Sequence, residues 1–466
     1  MRFLMKFGGT SVADAGSVSR VVEIIHQYYS AGNEVAVVIS AQRGVTDQMI
    51  AIAHELVNSR DNSAIEPFIQ SLRLRHWKVL DGVAKDQADE VSDVLEERLD
   101  SLQNILNAVF NLRELTPRSR DYIITFGERL NAPIISAALR QKGIPSIVLD
   151  GCEAGIITTS QHGEAMALPS SEGHIKGRIL PLLTGNVPVI MGFMGCTEKG
   201  IVTTLGRSGS DYSAAVIGAG LDADEIWIWT DVDGIMTSDP RVIGDARVIP
   251  SISYLEVMEL SFFGAKVMHP RSIEPAMKKD IIVRVRNTFN PSHPGTAIVR
   301  GERCESRVVK ALTYIEKVAA VNITGVQMIG RPGVAKAIFS ALADADVNVM
   351  MISQGSSEAN ISLIIDEMQL DCAMDALSPL AKQGVIREVT ANCDICAVAV
   401  VGSGMAGAKG TGGRIFTALG DADINVKMIS QGSSEVNISF VVKEEDGPRA
   451  VRILHDEFRL SEECDE

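Results

Sequence analysis

The sequence predicts an α/β protein: a largely parallel, helix-covered sheet followed by two small ferredoxin-like βαββαβ units. Three observations predict it. Residues 339–362 read FSALADADVNVMMISQGSSEANIS and residues 416–439 read FTALGDADINVKMISQGSSEVNIS, at a constant offset of 77. A fixed period without gaps means two copies of one folding unit. Before the repeats, apolar runs of strand length alternate with helical stretches, the pattern of a parallel sheet. The glycine-rich segments that could carry chemistry lie mostly in that unrepeated part.

The elements follow in order. Residues 2–6 form a short strand ending in KFGGTS, and 18–29 have the period of an amphipathic helix. The run EVAVVIS (34–40) is apolar throughout, as a strand buried on both faces should be. From Asp47 to about Leu115 the chain is charged, helical in period and nearly free of glycine, a helical excursion from the sheet. Strand signals return at 146–150, 187–192 and 225–231. Residues 290–305 are rich in proline, glycine and charge and predict a boundary, so that 1–301 forms the first domain.

The first copy (315–390) parses as a strand at 318–324, a helix at 333–345, strands at 347–353 and 359–365, a helix at 371–383 and a strand at 385–389. The second copy (391–466) has strands at 394–401, 424–430 and 436–442 and helices at 408–422 and 447–459, one strand short. A surplus strand at 308–314 is expected to complete it, with the first copy inserted inside the second.

The 466 residues carry a net charge of −15, which argues against nucleic acid as a partner. A site for anions must then concentrate positive charge on a few lysines and glycine loops. No run of 18 apolar residues and no signal-peptide pattern occurs, so a soluble, cytoplasmic protein without a membrane partner is expected. Seven irregularly spaced cysteines predict no disulfide framework. Cys393 and Cys396 form a CxxC with no second pair for zinc, opening an apolar strand, and read as buried structural thiols.

Four motifs stand out. In KFGGTS, Lys6, Gly8 and Gly9 supply charge and close backbone approach for a phosphate; the bland alternative is a tight turn. TTLGRSGSDYSA (203–214) places Arg207, Ser210 and Asp211 before a helix; a polar cap explains Asp211 but not Arg207. TDVDGIMTSDPR (230–241) lies past an apolar strand, where ligands bind in such sheets, though a turn alone would suit it. FGERL (126–130) offers Glu128 to an ammonium group. Gly402, Gly404 and Gly407 spell GxGxxG, but they sit inside a repeat too small for a dinucleotide crevice, so NAD binding is not expected.

Together KFGGTS, VISAQRGVT, FGERL, TTLGRSGSDYSA, WTDVDGIMTSDPR and GAKVMHPRS resemble, in that order, the aspartokinases of the amino-acid kinase fold, a three-layer fold with a largely parallel sheet. The repeats resemble the paired ACT domains that follow it. The resemblance implies ATP- and Mg2+-dependent phosphorylation of the β-carboxylate of L-aspartate to 4-phospho-L-aspartate, the first step toward lysine, threonine, methionine and isoleucine. It implies Lys6, Asp211 and Lys266 as catalytic residues, with Asp211 orienting the catalytic lysine. Thr46, Glu128, Arg207 and Ser210 match substrate positions. Lys6, Gly8, Gly9, Thr230, Asp231, Met236, Arg241, Lys266 and Val267 match nucleotide positions. No protein-built metal site is implied. Ser208 stands where the family usually has glycine, and Met236 where many members have tyrosine.

The paired ACT units imply a homodimer or higher homo-oligomer. They also imply an amino-acid effector, lysine and/or threonine, near Asn348, Ser353, Gln354, Asn425, Ser430 and Gln431. An ionised aspartate carboxylate needs no general base, so the missing Ser/His/Asp arrangement agrees with this chemistry. Two rivals remain: another amino-acid kinase such as glutamate 5-kinase, and a sensor that kept the fold without catalysis. A fused homoserine dehydrogenase is not expected within these residues.

Overall fold

The computed structural model describes residues 1–264, 268–301, 307–325, 332–355 and 360–462. It separates into two compact units. One comprises Met1–Ile235, Pro250–Tyr254 and Met268–Gly301; the other comprises Met236–Ile249, Leu255–Val267 and Glu302–Glu466.

In the first unit the chain runs β1 (Arg2–Phe7), α1 (Ala15–Ser30), β2 (Glu34–Ile39), α2 (Val45–Asn58), α3 (Ile65–Val83), α4 (Ala88–Leu112), α5 (Pro117–Ile124), α6 (Phe126–Gln141) and β3 (Ser146–Leu149). It continues through α7 (Ser171–Leu183), β4 (Val187–Met191), β5 (Met194–Cys196), β6 (Val202–Thr204), α8 (Gly209–Gly220) and β7 (Glu225–Thr230). Then come β8 (Ser251–Ser253), α9 (Tyr254–Phe262), α10 (Pro270–Lys279), β9 (Ile282–Asn287) and β10 (Thr296–Val299). Only Tyr254 of α9 belongs to this unit; the rest of the helix groups with the second.

Eight strands form one sheet in the order β3-β4-β2-β1-β7-β9-β10-β8. Pairing is parallel except between β9 and β10. The central strands β1 and β2 bury five of six residues each, as expected where helices cover both faces. Helices α1, α3, α4 and α6 pack on one another, and α7, α8 and α10 form a second group. The helical excursion thus becomes α2 to α4. Its buried residues recur at helical spacing in α4 (Val91, Leu95, Leu99, Leu102, Leu106) and join the main core. The segment read as a boundary at 290–305 holds β10, which pairs with β9 and β8. Proline and glycine flank that strand and hide its short apolar run. Cys152 and Cys196 form a disulfide, against the expectation from spacing. Spacing carries no information on two residues that meet across a 44-residue separation.

The second unit contains two four-stranded antiparallel sheets. The chain enters β11 (Ala311–Ile315) and then makes the whole first repeat: β12 (Val318–Thr324), α11 (Val334–Asp344), β13 (Val349–Gln354), β14 (Asn360–Asp366), α12 (Leu370–Lys382) and β15 (Glu388–Asn392). The second repeat follows as β16 (Cys396–Val401), α13 (Thr411–Asp421), β17 (Met428–Gln431), β18 (Asn437–Val442) and α14 (Gly447–Glu457). The sheet orders are β13-β14-β12-β15 and β11-β16-β18-β17. Strand β11 pairs antiparallel with β16, from Ala311 opposite Val401 to Ile315 opposite Ala397. Strand β15 begins three residues later than its sequence-predicted counterpart. Cys393 and Cys396 are free, and burial pushes the Cys396 thiol up to about 12, away from reactive thiolate chemistry.

Candidate active site

A cleft of about 620 Å3 opens in the first unit where β1, β2 and the first turns of α2 and α8 meet. Lys6, the fifth residue of β1, is held there by the strand itself. Its Nζ lies 2.5 Å from Asp211 Oδ1, in the first turn of α8. The turn after β1 must be glycine. A Cβ on Gly9 would lie 2.8 Å from the Ala41 carbonyl oxygen and 3.2 Å from the Arg43 nitrogen, and the Arg43 amide donates to the Gly9 carbonyl.

The loop 40–44 carries the other wall. Arg75 donates to the Gln42 side chain at 2.8 Å and to the Arg43 carbonyl at 2.7 Å, and Asn131 donates to the Ser40 carbonyl. These contacts aim the start of α2, with Thr46, into the cleft. Two helix N-termini therefore converge there, and both favour negative charge in the ligand.

Glu128, 3% exposed, lies in the first turn of α6 and lines the cleft. Its Oε1 accepts the Ala41 amide at 3.0 Å, while Oε2 is buried with no hydrogen-bond partner among the described residues. Burial pushes its carboxyl up to about 8; the Ala41 amide and the Lys6 charge pull the other way. An orphaned buried carboxylate oxygen facing a cleft is a receptor for a cation.

Arg207 is exposed and also lines the cleft. The next residue, Ser208, has φ +51°, a left-handed conformation that glycine adopts freely and serine at a cost. The family's glycine thus has a backbone reason here, and Ser208 keeps the turn without it. Asp121 braces this wall: it is fully buried and accepts from Thr204 N and Oγ1 and from Gly163 N.

Thr230 and Asp231 lie at and just past the end of β7, beside the Gly8 turn, where the Gly8 amide donates to the Trp229 carbonyl. Neither lines the cleft. Met236 and Arg241 belong to the second unit, where Met236 bridges Val248 and Arg241 clamps Asp239. Lys266 and Val267 lie outside the described residues. Among the described residues no three His, Cys, Asp or Glu side chains gather as a metal site, and no helix is long and apolar enough to cross a membrane.

The amino acid kinase family model matches residues 1–287, and an ACT domain model matches 321–379 and 398–458. The chain is 32% identical to aspartokinase 3, chloroplastic, of Arabidopsis thaliana over 483 residues, covering 99% of this chain and 82% of that protein. The chain belongs to the amino acid kinase family, in its aspartokinase group. It is also 36% identical to the Arabidopsis thaliana bifunctional aspartokinase/homoserine dehydrogenase 1, over 98% of this chain and 51% of that protein, so it spans about half the length of such bifunctional relatives. The crystal structure of E. coli aspartokinase III in complex with aspartate and ADP superposes with a TM-score of 0.83 at 27% identity, over 98% of this chain and 99% of that one. The lysine- and aspartate-bound T-state of the same enzyme gives 0.79.

Of the positions carried over from the aspartokinases, Lys6, Gly9, Thr46, Glu128, Arg207, Ser210 and Asp211 come together in one cleft. Sequence reasoning missed Gln42, Arg75, Arg120 and Asp121. Arg120 also lines the cleft, with its Nε buried and without a partner among the described residues. Its only sequence signal was an RSRD run before FGERL, which reads as a solvated helix face.

Proposed function

We propose that this chain transfers the γ-phosphoryl group of ATP to the β-carboxylate of L-aspartate. The observation that carries the reading is the orphaned Oε2 of buried Glu128, in the same cleft as the Lys6–Asp211 pair. An anionic nucleophile must approach an anionic phosphoryl group, and preorganised positive charge is what such a reaction needs. Lys6, oriented by Asp211, neutralises charge on the transferring group. Gly8 and Gly9 let the backbone reach the phosphates. Arg207 pairs with the α-carboxylate of aspartate, and Glu128 receives the ammonium, with Thr46 and Ser210 as hydroxyl partners. Thr230, Asp231, Met236, Arg241, Lys266 and Val267 are assigned to the nucleotide. The donor set suits magnesium only as the nucleotide's companion, since Asp211 is already taken by Lys6; Mg2+ draws most of its ligands from phosphates and water. The aspartate and ADP bound by the E. coli relative support these roles.

We read 1–301 as the catalytic domain, 315–390 as the first ACT domain, and 391–466 with the strand at 308–314 as the second. The ACT domains bind lysine, threonine or both, at Asn348, Ser353, Gln354, Asn425, Ser430 and Gln431, which lie on or beside the edge strands β13 and β17. Ile352 and Ile429, equivalent positions on those strands, are each about half exposed. Apolar edges of this kind favour pairing with a second copy of the chain.

The test is ADP release by the purified chain with ATP and Mg2+, against aspartate and glutamate, with trapping of the acyl phosphate by hydroxylamine. Aspartate-dependent hydroxamate is the expected result, lowered by added lysine or threonine. Turnover on glutamate alone, or none, overturns the assignment.

A further inference from the structure

Arg120, on α5, lines the cleft but takes no part in holding the fold together. Among the described residues its guanidinium has no hydrogen bond and no ion pair, although its Nε is buried. A guanidinium is charged at any pH the protein meets, and a buried donor without a partner costs free energy. The carboxylates around it are committed elsewhere. Asp121, the next residue, accepts the Thr204 hydroxyl at 2.6 Å on Oδ1. Its Oδ2 accepts the amides of Gly163 and Thr204 at 3.0 and 3.1 Å and lies 2.8 Å from His162 Nδ1. Glu164 is exposed and reaches Arg271 at 4.0 Å.

The surroundings keep room for this side chain. A Cβ on Gly163 would lie 2.8 Å from Arg120 Nη2, and one on Gly206 would lie 3.1 Å from the Gly163 carbonyl oxygen. The Arg120 guanidinium and the turn that carries Arg207 therefore pack on the same segment, 163–164. Both arginines line one cleft within the first unit.

Helical spacing shows which end of a ligand Arg120 would meet. Arg120, Ile124 and Glu128 are four residues apart and all line the cleft. Thr125, itself helical with φ −72° and ψ −13°, joins α5 to α6 between them. At 1.5 Å per residue Arg120 stands about 12 Å from Glu128 along the axis. Glu128 lies in the field of the Lys6 charge, so Lys6 and Glu128 mark the reacting end and Arg120 stands away from it. A carboxylate has two oxygens with about four lone-pair directions, enough for two guanidiniums. We propose that Arg120 is a second substrate-binding residue, which shares the α-carboxylate of aspartate with Arg207 and leaves the β-carboxylate free to attack. The proposal rests on the kinase reading for the identity of the ligand.

The test uses the full chain with Arg120→Met, which keeps the length of the side chain, and Arg120→Lys as the conservative variant. In Arg120→Met the KM for aspartate should rise by about tenfold or more while the KM for ATP stays within about twofold. Arg120→Lys should fall between the two. The α-amide of aspartate keeps the ammonium and the β-carboxylate but lacks the α-charge. On that substrate kcat/KM of the wild type and of Arg120→Met should agree within about twofold. An equal loss on aspartate and on its α-amide overturns the proposal, as does an unchanged KM for aspartate. Calorimetric titration with aspartate in the absence of ATP is the second readout, and Arg120→Met should bind about tenfold more weakly. That arm separates the two readings. A wild type that binds aspartate without phosphorylating it removes the kinase reading and leaves the titration to decide Arg120. Equal affinity of wild type and Arg120→Met overturns this proposal alone, and a wild type that binds no aspartate overturns both.

Discussion

The turn after β1 and the turn after β16 are both glycine-rich, both lead toward a helix, and both lie beside a lysine–carboxylate pair. In the first, Lys6 and Asp211 meet at the wall of an open cleft. In the second, Lys310 and Glu256 are sealed from solvent, and main chain from 307–309 occupies the space a ligand would need. Glycine spacing is therefore a statement about close approach only. What approaches, a ligand phosphate or the protein's own backbone, decides whether the turn is a site or a joint.

The comparison breaks most visibly at the buried pair. Lys310→Ala breaks the buried pair with Glu256 and should cost about 3–5 kcal/mol of stability, read by denaturant unfolding. A loss under about 1 kcal/mol would place the pair among solvated ones. The cleft pair should respond in rate instead. Lys6→Ala should lower kcat by about a hundredfold or more, about 2.7 kcal/mol in barrier, with the unfolding midpoint little moved. Near-normal turnover of a folded variant would remove Lys6 from the chemistry.

The glycines sharpen the same contrast at smaller scale. Gly402→Ala drives a methyl into backbone and should destabilise by about 1–3 kcal/mol. Gly413→Ala, in α13 with nothing within 4 Å of the added carbon, should be neutral or stabilising by up to about 1 kcal/mol. Equal effects in thermal unfolding would mean that the joint is looser than described.

The cleft carboxylate sharpens the comparison through pH. Glu128 has its carboxyl raised from 4.5 to about 8, so the folded state binds the proton more tightly than the unfolded chain. Its favourable contribution is complete below about pH 4.5 and is lost as pH rises toward 8. Glu128→Gln should therefore gain stability relative to wild type across that window. Because only the ionised carboxylate pairs with an ammonium, the KM for aspartate should fall with rising pH, by at most about tenfold per unit, and level off above 8. A KM flat from pH 6 to 9 would contradict the assigned role.

Much of this was legible in the sequence. The offset of 77 fixed the number of repeats, and the strand shortage in the second copy pointed to residues 308–314, the neighbourhood of β11. Motif order pointed to Lys6, Glu128, Arg207 and Asp211, which the fold brings to one cleft. Other features were hidden. Strand β10 is four residues long, preceded by NPSHPG and followed by RG, too short for a period to register. The grouping of 236–249 and 255–267 with the repeats left no trace in composition.

By itself the sequence determined what is local or periodic: which stretches are helix or strand, how often a unit recurs, and which residues can carry charge. Those properties depend on neighbours three or four positions away. Only the tertiary structure decided which distant groups meet. Asp121 reaches Thr204 across 83 positions, and Ser403 reaches Glu256 across 147. Buried polar groups must find partners wherever the folded chain brings them, and sequence distance does not enter that requirement.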